Sequence, residues 1–271
     1  MGLPTWEVFA LRYATVERRR IEVFINHDLH DGPQRLDFFV WLLRNGDDLI
    51  LVDTGFNAKE AARRNRKLLR CPVGSLARIG VPAEAIRDVV ITHAHYDHAG
   101  NLDLIPRARF HLQEREMQYA TGRDMRQAMM RHAYCVDDVC SLVRLVFDDR
   151  VVYHDGDWAL RDGISVHLVG GHTRGMQILR VHTKRGWIVL ASDAAHYLEN
   201  LQRRSPFPIV ADVGDMLRGH ETIERLADSP AHIVPGHDPL VLASYARSGP
   251  EDLELVSLTQ PLASPVAGTA G

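Results

Sequence analysis

His93-Ala94-His95-Tyr96-Asp97-His98 places four metal-ligating side chains within six residues, directly after the apolar run Val89-Val90-Ile91. That run has the length and β-branched content of a buried strand, so the ligands fall where a strand ends and a loop begins. Imidazole suits Zn²⁺ and related cations, and the Asp97 carboxylate adds an oxygen donor. In an extended segment, side chains two apart point the same way. His93 and His95 therefore share one direction, whereas Asp97 and His98, beyond the turn, can face a second point. One short segment thus carries donors for two metal ions.

Three further donors stand in matching contexts. His172 follows Val166-His167-Leu168-Val169-Gly170-Gly171, Asp193 follows Trp187-Ile188-Val189-Leu190-Ala191-Ser192, and His237 follows Ile233-Val234-Pro235-Gly236. Each closes an apolar, strand-like run, and the glycines beside His172 and His237 let the backbone bend towards an ion. A lone histidine is more often a packing residue than a ligand, and the chain has fifteen. The repeated strand-end placement, next to a dense cluster, is what singles these three out. Asp53, in Val52-Asp53-Thr54-Gly55, reads as a residue that orients a ligand or shapes a turn.

The rest of the chain supplies the frame. Trp6–Tyr13, Asp37–Leu43 and Leu49–Val52 read as strands, with Asn45-Gly46-Asp47-Asp48 as a hairpin turn. Ala58–Leu69 reads as a basic helix, and Ser75–Ile79 and Pro82–Ile86 as short helices. A strand over Ala108–Leu112 and a helix over Gln113–Ala120 come next. Residues 122 to 145 read as irregularly helical and carry Met125, Met129 and Met130. This helical insertion, near 113–147, is either a packed element or a lid whose methionines adapt to apolar ligands. Val151–Tyr153, Ser165–Val169, Gln177–His182, Trp187–Ala191 and His232–Val234 are strand candidates, and Asp215–Leu226 an amphipathic helix. A frayed tail is expected after about residue 262. Two strand-rich halves flanked by helices suggest two sheets packed face to face.

At 271 residues with 45% hydrophobic and 25% charged side chains, the chain has an ordinary globular composition. Its net charge of −3 gives no basic surface for nucleic acid or membrane. Arg18-Arg19-Arg20, Arg63-Arg64 and Arg203-Arg204 are short clusters that read as solvated surface charge. The three cysteines form no CxxC pair and make a poor disulfide framework. No basic segment followed by an apolar one marks a signal peptide, and no run approaches the ~18 apolar residues of a membrane span. A cytoplasmic location is the expectation.

Taken together, Asp53-Thr54-Gly55, His93-x-His95-x-Asp97-His98, Gly171-His172-Thr173, Ser192-Asp193 and Gly236-His237 resemble the metallo-β-lactamase superfamily, in its motif order and across roughly positions 37 to 238. The resemblance implies an α/β fold: an αββα sandwich of two mixed sheets with helices outside, here as a single domain over 1–271. It implies that His93, His95 and His172 bind one metal ion, that Asp97, His98 and His237 bind another, and that Asp193 bridges them. The implied cofactor is a pair of divalent ions, with Zn²⁺ as the default.

Within the superfamily, Leu49–Phe56, His95–Asn101 and the stretch from Asp193 through Glu199-Asn200 to Pro206-Phe207 are similar to the N-acyl-homoserine lactonases. That likeness implies an ester-bond hydrolase in which a metal-bridging hydroxide opens a lactone ring. Asp97 would orient the water and carry a proton to the leaving oxygen. Those lactonases usually place a tyrosine three residues after the bridging aspartate; here His196 stands there, followed by Tyr197. The hydrogen bond to the substrate then falls to His196 or, after a backbone shift, to Tyr197. A glyoxalase II-like thioesterase is the alternative on the same scaffold, and a non-catalytic metal-binding protein the third reading. The implied partner is a small lactone, and a homodimer is compatible with the likeness.

Overall fold

The computed structural model of the protein describes residues 2–26 and 30–261. Strand β1 (Glu7–Arg19) pairs antiparallel with β2 (Pro33–Asn45), which turns at Gly46 into β3 (Asp48–Val52). Helix α1 (Ala58–Arg63), the two-residue β4 (Lys67–Leu68) and β5 (Asp88–Val90) follow, then β6 (Arg109–Gln113). A helical stretch holds α2 (Glu114–Ala120), α3 (Ala128–Arg131) and α4 (Val136–Phe147) before β7 (Val151–His154). The second half contains β8 (Trp158–Arg161), β9 (Ile164–Leu168), β10 (Gln177–Thr183) and β11 (Gly186–Ser192). It continues with α5 (Leu198–Gln202), α6 (Val213–Leu226), β12 (Ile233–Pro235), α7 (Leu240–Ser244), β13 (Tyr245–Ser248) and β14 (Leu255–Pro261).

The strands form two mixed sheets. One runs β13-β14-β1-β2-β3-β5-β6-β7, with β4 attached to β1; the other runs β12-β11-β10-β9-β8. Alternation along each strand explains the layers. On β2, Phe39, Trp41 and Leu43 face the second sheet, where they meet Leu179 and Val181 of β10 and Ile188 and Leu190 of β11. The intervening Phe38, Val40 and Leu42 face a helical layer that includes Leu142 and Leu145 of α4. Val189 and Ala191 of β11 face the opposite helical layer, with Ile223 and Leu226 of α6. Each large side chain buried in these layers contributes about 1.5–3 kcal/mol of transfer free energy. The result is the αββα sandwich expected from the sequence.

Strand direction sets where the loops meet. β3 and β5 are parallel, and so are β11 and β12, so Asp53, His93, Asp193 and His237 all leave the C-terminal ends of their strands at one edge. The amide of Gln177, at the start of β10, donates to the Thr92 carbonyl, and its side chain donates to Ile91. These bonds tie the second sheet to the loop that carries His93.

Several elements differ from expectation. The helix expected over Ala58–Leu69 stops at Arg63, and Asn65 takes a left-handed conformation (φ 53°). Arg63, Arg66 and Lys67 would crowd like charges at i, i+3 and i, i+4 in a continued helix. Lys67 and Leu68 instead pair with Thr15 and Ala14, beside a bulge in β1. Residues 82–86 form a single 3₁₀ turn, Ala83–Ala85, and β8, β13 and β14 are strands the periodicity did not reveal. The expected tail lies outside the described residues. Among the described residues no helix is long and apolar enough to cross a membrane, and all three cysteines are free thiols.

Candidate metal centre

Seven side chains singled out by sequence spacing converge at this edge, and they fall into two overlapping sets. His93 Nε2, His95 Nδ1 and His172 Nε2 lie 2.8–3.1 Å from one another. Asp193 Oδ2 sits 3.4 Å from His172 Nε2. On the other side, Asp193 Oδ1 is 3.2 Å from His98 Nε2 and 3.0 Å from His237 Nε2. Asp97 completes this second set, its oxygens 3.9 Å from His98 and 4.0 Å from His237. All seven residues are buried, and Asp97 is the most open of them.

The loops are shaped for these positions. Gly171 has φ 85°, and a Cβ there would lie 2.5 Å from the Met216 backbone, so only glycine lets His172 reach inward. A Cβ on Gly236 would lie 2.5 Å from the Ser192 carbonyl oxygen. That close approach lays the His237 loop against the Asp193 turn.

Three of the five donor imidazoles are oriented through their outer nitrogens. His172 Nδ1 donates to the Ile209 carbonyl at 2.6 Å, and His237 Nδ1 to the Asp37 carbonyl at 2.8 Å. His98 Nδ1 is 2.7 Å from Asp53 Oδ2, and Asp53 is itself held by the Thr92 amide and hydroxyl. With the outer nitrogens donating, the inner nitrogens present lone pairs. Lone pairs of His237 Nε2 and His98 Nε2 then face a carboxylate oxygen, a repulsive contact unless a proton or cation lies between. His98 Nε2 and Asp193 Oδ1 are buried with no hydrogen-bond partner, although buried polar atoms nearly always have one. A tetrahedral shell with Zn–N bonds of about 2.0–2.1 Å separates its nitrogens by about 3.3 Å. The donor set therefore fits divalent cations in number, chemistry and spacing.

The electrostatics divide along the same line. Burial, aided by the neighbouring imidazoles, pushes His93 and His95 well below the ordinary histidine value, and burial also lowers His172. Burial pulls His98 and His237 down as well, but the carboxylates of Asp193 and Asp97, with Asp53 at His98, outweigh it and raise both. Asp193 is lowered in turn: burial opposes its charge, and His237, His98 and His196 outweigh burial.

His196 and Tyr197 part company. His196 Nε2 is 2.8 Å from Asp193 Oδ2, and its ring stacks on Phe207 at 3.3 Å between centroids. It lines the pocket over the donor set. Tyr197 turns into the core, where its hydroxyl donates to the Arg35 carbonyl at 3.1 Å. It is not among the residues lining that pocket.

One contributor gave no sequence signal. Glu116 of α2 is fully buried and accepts four hydrogen bonds: from the Ala94 amide, the Tyr134 hydroxyl, the Thr173 hydroxyl and the Gly175 amide. It joins the His93–His98 loop to the His172 loop. A larger groove of about 660 Å³ beside α2 touches none of the seven donors, so size does not mark the chemistry here.

Comparison with known proteins agrees with this geometry. Residues 39–237 match the family model of the metallo-β-lactamase superfamily. An N-acyl homoserine lactonase of a Bacillus species is 28% identical over 202 residues, covering 68% of this chain and 74% of that protein. A probable metallo-hydrolase of Mycobacterium tuberculosis is 24% identical over 231 residues, covering 75% of this chain and 72% of that one. Among solved structures, a quorum-quenching N-acyl homoserine lactone lactonase superposes with a TM-score of 0.74 at 22% identity, covering 88% of this chain and 95% of its own. A family match across most of the chain, on a sandwich whose loops gather histidine and aspartate at one edge, leaves one assignment: the protein belongs to the metallo-β-lactamase superfamily.

Proposed function

We propose that this metallo-hydrolase opens lactone rings, with N-acyl-homoserine lactones as its leading substrate class and two divalent ions, Zn²⁺ by default, as its cofactor. The observation that carries the reading is the division of seven donors into two sets that share Asp193. His93, His95 and His172 would hold one ion, Asp97, His98 and His237 the other, and Asp193 both. Bound there, the ions supply Lewis acidity towards the carbonyl and a hydroxide near neutral pH.

The chain's own groups do the rest. The Tyr13 hydroxyl donates to the Asp97 carbonyl and fixes that turn. The Asp97 carboxylate, the most open of the seven donors, would take a proton at Oδ from the attacking water and return it to the leaving alkoxide. His196, which burial holds down at about 3, stays neutral at working pH; its single N–H faces Asp193 Oδ2, and it would turn to the developing oxyanion once the ions take that oxygen. Stacking on Phe207 holds its ring in place. A cavity of about 190 Å³ adjoins His95 and His172, and Met129, Met130 and Ile209 give it an apolar wall suited to an acyl chain.

The test is a panel of lactones and thioesters, followed by pH-stat on protein of measured metal content. Ring opening of acyl-homoserine lactones should vanish in Asp193→Ala. A metal-replete protein that leaves every lactone intact and cleaves thioesters would overturn the reading in favour of the thioesterase.

A further inference from the structure

Three arginines gather at the mouth of the metal pocket. Arg18 comes from β1, Arg64 follows the last residue of α1, and Arg66 leads into β4. All three line the same space as Asp97, Asp193, His196 and His237. Their charges act together on His132, which burial and then Arg64, Arg18 and Arg66 push below its ordinary pKa.

Their partners are unequal. Arg64 is largely buried (9% of its side chain exposed) and is paired with Glu60 at 2.9 Å, and it also donates to the His132 carbonyl. Among the described residues Arg66 donates only to neutral acceptors, the Tyr96 hydroxyl and the Arg64 carbonyl. Arg18 has no side-chain partner among the described residues, and neither Arg18 nor Arg66 has a carboxylate there. Both are half-buried. A surface arginine in bulk water needs no partner, but a half-buried one facing a cavity keeps an unspent charge.

The carboxylates of the site do not absorb that charge. Asp53, Asp97 and Asp193 together carry about −3 and a metal-bound hydroxide about −1, which offset the +4 that two divalent ions would bring. The metal side would therefore be close to neutral, and the arginine side is cationic. The adjoining cavity beside Met129 and Met130 shares His95, His132, His172 and Ile209 with it and is mostly apolar. The reacting ester would lie between a basic pole and an apolar one.

We infer that the pocket prefers, among lactones, those that bear a carboxylate on one side of the reacting ester and an apolar group on the other. The inference rests on the lactonase reading and narrows it: within the lactone class, a carboxylate beside the ring raises turnover over that of the neutral counterpart. The planar guanidinium forks of Arg18 and Arg66 match a carboxylate with paired hydrogen bonds. Hydrolysis itself is unchanged, with water adding across the acyl C–O bond to give a second carboxylate and an alcohol.

The experiment compares a γ-butyrolactone bearing a ring carboxylate with the same ring bearing a carboxamide, on metal-loaded protein. The carboxylate should have the higher kcat/KM by about tenfold or more, and the ratio should shrink with added salt. Arg18→Gln, which removes no intramolecular side-chain bond, should collapse most of that ratio through KM, and Arg18→Gln with Arg66→Gln the rest. Arg19→Gln, one residue along β1 and paired outward with Asp31, is the control and should leave the ratio intact. Equal turnover of both lactones, or a ratio indifferent to Arg18, overturns the inference and leaves the lactonase reading standing. If neither lactone is opened, calorimetric binding of the ring-opened dicarboxylate and its monoamide still decides. Preference for the dicarboxylate that disappears in Arg18→Gln upholds the anion site, and equal affinities reject it.

Discussion

His196 hangs on one hydrogen bond and one stack, and both hold it beside the donor set. Nε2 reaches Asp193, Phe207 covers one face, and the low pKa keeps the ring neutral. Tyr197, its neighbour, would have to give up the Arg35 carbonyl and leave the core before it could touch substrate. His196→Ala should therefore lower kcat by about 100-fold with metal content retained, the usual effect of losing one well-placed donor. Tyr197→Phe should stay within about threefold in kcat, the mark of a residue outside the oxyanion's reach. Single-turnover kinetics on both variants checks this, and the reverse ranking would return the role to Tyr197. At this scale the donor set was legible because ligand chemistry is dense in 93–98 and each remaining donor closes an apolar run. The choice between 196 and 197 was not legible. Adjacent residues on a turn diverge by an angle that only the packing of Phe207 and the Arg35 carbonyl decides.

Helix α2 contributes no ligand, yet through Glu116 it sets the spacing between two ligand loops. One oxygen accepts from the Ala94 amide and the Tyr134 hydroxyl, the other from the Thr173 hydroxyl and the Gly175 amide. Tyr134 in turn packs edge-on against the His95 ring. In Glu116→Gln, whichever way the amide turns, its NH₂ meets one backbone N–H that cannot rotate away. That unsatisfied donor costs about 1–3 kcal/mol. The loops then hold His95 and His172 less firmly, and metal affinity should fall by about 10–100-fold. Chelator competition measures this, and an unchanged affinity with a folded protein would remove Glu116 from the positioning network. Periodicity places Glu116 on a helix and says nothing of what the helix faces, so this role was hidden. The same limit explains β4, β13 and β14. Lys67-Leu68 and the C-terminal strands are extended because β1 offers them edges to pair with, and sequence-local propensity carries no record of a partner strand.

The whole molecule is two sheets held together at one edge by a centre that needs positive charge. Loops from both sheets bring three buried carboxylates, Asp53, Asp97 and Asp193, against five imidazoles, three of them held through their outer nitrogens. The layered frame was legible from strand patterning and motif order, because alternation reports which face of a strand is buried. The direction of each chain through the sheets, which makes the four loops coincide, needed the pairing itself. Metal removal should loosen this edge. At a free metal concentration of about 1,000 Kd, binding adds about 4 kcal/mol to the folded state. For a chain of this size that is a fall in Tm of about 10 °C on chelation. The pH dependence has a definite sign. Without metal, His98 and His237 are raised and hold protons that the ions must displace, so the loaded state binds fewer protons than the metal-free one. The stabilisation by metal therefore grows as pH rises through and above the ordinary histidine value of about 6.5 and shrinks below it. Melting curves with and without chelator, at about pH 6 and about pH 8, read this directly. A gap that narrows with rising pH would mean that protons and metal do not compete for these imidazoles.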